Sequence, residues 1–363
     1  MFLRLIALSL LAFFASVGSL PACSIPVFRY ALERWSPDLF EVSVFFRGTL
    51  NDTDAKRLTQ LEDWAVHNGG NVNLEVVRCD LDERVPADLL DLWKSLKDAP
   101  LPTVVVRTPL KATGQHIFWQ GRLSDPFLED LATSPARREV AQRLLRGDAV
   151  VWLLLRGSDK ELAARTRASL DAALAKLAEE IELPPGVGRP GSELLAKIPL
   201  QMKFSVVEVS AESAEEQTLI KLLHGGLAKA PVASDSYIAP VFGRGRVLNV
   251  LSASKLESET VGDWTRYLCS ACSCQVKQQN PGFDLLCAMN WEGQLFDENS
   301  LKATDESTTD TELSLVSIPS GQTVLDSNST STAPSLSSAG THFGVLLAMA
   351  ALAVVASLIV IVK

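Results

Sequence analysis

Four of the six cysteines fall between residues 269 and 287: Cys269, Cys272, Cys274 and Cys287, spaced C-x2-C-x-C-x12-C. Cys23 and Cys79 lie far upstream. So tight a group supports three chemistries. One is structural disulfides, the default outside the reducing cytoplasm. The second is a soft-metal site, in which thiolates converge on Cu(I) or Zn(II). The spacing departs from the paired Cys-x2-Cys modules of common zinc folds, and His67, His116, His224 and His342 are too distant in sequence to complete a shell locally. The third is thiol–disulfide exchange through Cys269–Cys272 or Cys272–Cys274. A helix ending just before these residues would raise their pKa and oppose a reactive thiolate, with Arg266 and Lys277 nearby to offset it. Asn280-Pro281-Gly282 can turn the chain so that Cys287 approaches the other three.

Other chemistry is sparse. No Gly-x-Ser-x-Gly elbow is present, and Gly243-Arg244-Gly245 is too short for a phosphate loop. Formal net charge is -9, and about -11 without the end segments that carry Arg4 and Lys363. A surface so acidic repels phosphate backbones, which excludes nucleic acid as a partner class.

The ends place the cysteines in a compartment. In residues 1–22 Arg4 forms a short positive n-region, an apolar stretch from Leu5 to Val17 follows, and small residues come after it: an export signal. Leu20-Pro21-Ala22-Cys23 resembles a bacterial lipobox, which implies lipidation of Cys23. Pro21 departs from that pattern, and simple cleavage after Ala22 is the alternative. Phe343 to Val362 is a run of twenty residues without a charge. At about 1.5 Å per residue it spans about 30 Å, one bilayer's hydrocarbon thickness. Residues 342–363 therefore read as a transmembrane anchor, and residues 299–341, rich in Ser and Thr, as a disordered stalk. The folded part then faces a periplasmic or other extracytoplasmic space, with the membrane as one partner and another envelope or membrane protein as the expected second.

Between these ends the apolar periodicity gives one element order twice. In residues 23–147, strands are expected at 42–46, 72–77, 101–106 and 116–119, with helices after the first and second strands and over 126–145. In residues 148–298, strands are expected at 151–155, 204–209, 239–242 and 246–251, with helices over 159–181, 214–223 and 256–268. Each first strand ends in Arg-Gly: Arg47-Gly48 and Arg156-Gly157. This α/β order resembles the thioredoxin fold, most specifically at Leu101-Pro102-Thr103, with a weaker copy at Ala239-Pro240-Val241. The resemblance implies two consecutive thioredoxin-like domains with cis-prolines at Pro102 and Pro240. It also marks a departure: neither Arg47–Asp52 nor Arg156–Lys160 carries the family's Cys-x-x-Cys at the first helix. What it implies is a binding scaffold rather than a redox enzyme. The stretch Cys23–Trp35, together with Cys272–Lys277, also looks like a recurrent family of bacterial envelope proteins.

Overall fold

The computed structural model describes residues 24–296, apart from 98, 111–114, 133, 258 and 274. The export signal, Cys23, Cys274, the stalk and the C-terminal anchor lie outside the described residues. Among the described residues no helix is long and apolar enough to cross a membrane.

The chain is mixed α/β with two separate sheets. After helix α1 (Val27–Arg34) come β1 (Phe40–Phe46), α2 (Asp52–Trp64), β2 (Leu74–Asp80), α3 (Ala87–Ser95), β3 (Thr103–Arg107), β4 (Ile117–Arg122), α4 (Phe127–Ala132) and α5 (Pro135–Leu145). The second half follows with β5 (Val150–Arg156), α6 (Lys160–Glu180), β6 (Phe204–Ser210), α7 (Gln217–Gly225), β7 (Tyr237–Phe242), β8 (Arg246–Val247), β9 (Leu251–Ser252), α8 (Thr260–Cys269), β10 (Phe283–Asp284) and α9 (Trp291–Leu295).

The first sheet runs β2-β1-β3-β4, with β1 parallel to β2 and antiparallel to β3. The second repeats this as β6-β5-β7-β8, extends it with β10, and pairs β9 to β7. In the first half Leu58 and Leu61 of α2 lie in the core on one face of the sheet, while Leu89 of α3 joins Phe45, Cys79 and Val105 on the other; α5 packs against β5 and β6 of the second sheet. In the second half α6 and α8 share one face and α7 takes the other. A parallel pair joined through a helix, followed by an antiparallel hairpin, is the thioredoxin-like arrangement expected from the element order.

β5 is buried on both faces, as its uninterrupted apolar run requires. Val151, Leu153 and Leu155 point into a core shared with the first half; Val150, Trp152 and Leu154 point into a second core. Chain order and spatial order part company at the ends. α1 precedes the first sheet in sequence, yet Ile25, Val27, Phe28 and Ala31 pack in the second half's core. The Val27 N–H donates to Ser270 O at 3.0 Å, and the Cys272 N–H donates to Ile25 O at 2.9 Å. Gly243, at φ +58°, lets α1 sit on the β7–β8 turn, where a Cβ would come within 2.7 Å of Ala31 Cβ. Conversely, the Met289 N–H donates to Asn71 O at 2.7 Å, returning the segment after β10 to the first half.

The helix expected over 126–145 is two helices. Pro135 at the first turn has no N–H to continue the preceding helix, and the Ser134 hydroxyl accepts from Arg137 N at 3.1 Å to start a new one.

Candidate functional site

Peptide geometry at the two prolines differs. Leu101–Pro102 is cis. Pro240 corrects the second expectation: among the described residues Leu101–Pro102 is the one cis bond. The register explains why. Phe45 faces Thr103, so Phe46, just before Arg47-Gly48, aligns with Pro102. Leu155, just before Arg156-Gly157, faces Tyr237. Tyr237 therefore occupies the place of Pro102, and Pro240 lies three residues deeper, paired with Trp152 in mid-strand.

The strand-to-helix turns beside these positions are polar. At the first, Asp80 Oδ1 accepts from the Gly48 N–H and the Asp82 N–H, both at 3.0 Å, and Arg47 Nη1 lies 2.6 Å from Asp82 Oδ1. Asn51 caps α2 by accepting from Asp54 N at 2.9 Å. Leu101 stays partly open to solvent at 37% exposure. At the second turn the chain itself covers the equivalent surface. Ser158 N donates to Ala233 O at 2.9 Å, Asp159 N to Ser234 O at 3.3 Å, and Gly157 N to Ser236 Oγ at 3.2 Å. A Cβ on Gly157 would lie 1.9 Å from Asp235 O, so only glycine fits under this loop. The same turn edges a cleft of about 610 Å³ whose charged lining, Arg156, Arg167, Asp171 and Glu208, is largely paired internally.

The cysteines divide between the two cores. Cys269 and Cys272 are buried in the second-half core, whereas Cys287 is buried in the core shared by both halves. Asn73 holds the backbone at Cys287: its Oδ1 accepts from Cys287 N at 2.7 Å, and its Nδ2 donates to Asp38 O and Leu285 O at 2.9 and 3.1 Å. Burial pushes the Cys269 thiol up to about 12 and the Cys287 thiol up to about 11, the latter moderated by the Arg137 charge. Among the described residues no three His, Cys, Asp or Glu side chains are grouped to hold a metal ion. The donor set expected for Cu(I) or Zn(II) is thus not assembled by the members described, and Cys274 lies outside them.

Sequence reasoning missed a junction between the halves. Asp284 accepts from Arg246 Nη1 at 2.9 Å and from Lys277 Nζ, and its Oδ2 also accepts from Asp38 N at 2.6 Å. Lys277 Nζ reaches Asp38 Oδ1 at 2.7 Å. Beside it, Arg244 is buried at the tip of the β7–β8 turn, and a pocket of about 360 Å³ opens between the Ser36–Leu39 linker, the loop after α2 and the Met289–Glu292 segment. Cys287 lines its floor. Two glycines flanking Arg244 were the available signal.

No family model and no curated protein matches the chain. Among solved structures, the first two thioredoxin domains of Naumovozyma dairenensis Eps1p are similar at 11% identity, over 69% of this chain and 97% of that one, with a TM-score of 0.19. Superposition that loose adds nothing to the fold assignment, which rests on strand order, register and helix placement.

Proposed function

We propose that this chain is an exported, membrane-anchored binding protein built from two thioredoxin-like units without redox-active sites, and that its first unit holds an extended peptide segment of another envelope or membrane protein. The observation that carries this reading is Leu101, open to solvent beside the sulfur-free Arg47–Asp52 turn. An extended segment laid there can use backbone hydrogen bonds and a side-chain contact, the usual combination in peptide recognition. The second unit's equivalent surface is covered by residues 233–236, which supports placing the peptide on the first unit in this reading.

The thiol-based alternative, metal or disulfide handling through Cys269, Cys272, Cys274 and Cys287, has Cys269, Cys272 and Cys287 among the described residues. Burial weighs against it, because Cys269 stays protonated far above neutral pH.

Two measurements test the proposal. The full chain, immobilised, is screened against a library of extended peptides. Leu101→Glu should abolish retention of the selected peptides, while Leu110→Glu, at a position 77% exposed, should not. Equal retention by both variants would remove the assignment to this surface. Protease added to intact spheroplasts should degrade the folded part, and full protection would refute export.

A further inference from the structure

We propose that the pocket at the junction of the halves binds a small apolar monocarboxylate, whose carboxylate replaces Glu292 on Arg244. The pocket's volume, about 360 Å³, is at the small end of the range for ligand sites, roughly 300–1,000 Å³. Its open surface is mainly apolar, with Pro37, Leu39, Val66, Met289 and Trp291 in the lining beside Arg244, and His67 and asparagines among the polar remainder.

Arg244 selects the headgroup. Its side chain is 5% exposed. Nε donates to Leu32 O at 2.8 Å and Nη2 to Glu33 O at 3.1 Å, both neutral carbonyls. Among the described residues its one carboxylate partner is Glu292, reached through Nη1, and that side chain is 58% exposed. A buried guanidinium needs an anion, and a carboxylate is the geometry it matches best. Glu292 supplies that anion from a five-residue helix at the surface, where an ion pair gains little and long side chains resist being fixed. A ligand whose tail fills the apolar pocket brings its own driving force and can take the same place. The pocket therefore holds a buried cation, an apolar chamber and a displaceable internal stand-in for the ligand's charge.

The test uses the full chain and 4-phenylbutyrate, with its neutral amide as control, by equilibrium dialysis. The carboxylate should bind saturably and the amide several-fold more weakly. Glu292→Gln removes the competitor but keeps a side chain that can accept a hydrogen bond from Arg244; with the variant's folded state checked by circular dichroism, it should tighten carboxylate binding about fivefold. Val66→Trp, which fills the chamber, should abolish it. Equal affinity for acid and amide, an unchanged affinity in Glu292→Gln, or no saturable binding at millimolar concentration would each overturn the proposal. None of these readouts depends on the peptide surface at Leu101.

Discussion

Cys269 and Cys287 differ from solvent-exposed thiols in a way that titration can read. Their folded-state values, about 12 and about 11, stand above the ordinary 9.0 because burial disfavours the thiolate. Between pH 9 and these values the folded chain keeps protons that the unfolded chain has released. Stability should therefore be full below about pH 9 and decline as pH rises, by roughly 1 kcal/mol per pH step for each thiol. Urea midpoints measured from pH 7 to 10.5 check this, and Cys269→Ala or Cys287→Ala should flatten the decline. Native-state alkylation at pH 8 should likewise be slow at both residues and become fast in denaturant. The spacing of the four cysteines is visible in the sequence, but their division between two cores is not. It depends on how α8 and the segment after β10 are packed, and no local pattern encodes that. Pro102 was readable because proline before an apolar strand is a local signal. Pro240 misled because the same signal sits three residues inside its strand, and only the pairing of Leu155 with Tyr237 exposes the offset.

At the level of elements, long periodic segments such as β1, α6 and β5 were legible because apolar spacing alone fixes the face they bury. The β8, β9 and β10 strands, two residues each, were not, since their pairing follows from tertiary contacts rather than propensity. Two side chains do much of the joining between elements. Asn73 is 6% exposed and serves three backbone groups across the halves, so Asn73→Ala should cost about 1–3 kcal/mol, read as a lower urea midpoint at unchanged slope. Glu216 reaches from the start of α7 to the start of α5, where it accepts from Ala136 N at 2.7 Å and from the Ser134 hydroxyl. An acid at a helix N-terminus is favoured both by the open N–H groups and by the macrodipole. Glu216→Ala should lose about 1.5–3 kcal/mol in the same assay, and Glu216→Gln less.

For the whole molecule, the decisive fact is that the core of the first half is not its own. Leu219, Leu222 and Leu223 of α7 and Leu153 and Leu155 of β5 complete it. The isolated segment 36–147 should therefore show no cooperative unfolding transition, whereas the full chain should lose secondary and tertiary signals together, as one transition by far-ultraviolet circular dichroism and tryptophan fluorescence. Two separate transitions, or a stable isolated first half, would show that the shared core is dispensable. The element order suggested two bodies in tandem; the packing makes them thermodynamic neighbours. The exchange of end segments between the halves could not be read from order, because sequence adjacency says nothing about which sheet a terminal helix covers.

The Trp35 indole N–H donates to Gln275 O, a partner 240 residues away. A ribosome adds residues at about 5–20 per second, so α1 emerges many seconds before the second-half core that receives Val27, Phe28 and Ala31 exists. During that interval Val27, Phe28, Tyr30 and Trp35 are a bare oily segment of a growing chain. Among the described residues the first helix to be made is thus among the last to be housed, and until the stretch around residue 275 arrives it depends on whatever shields it.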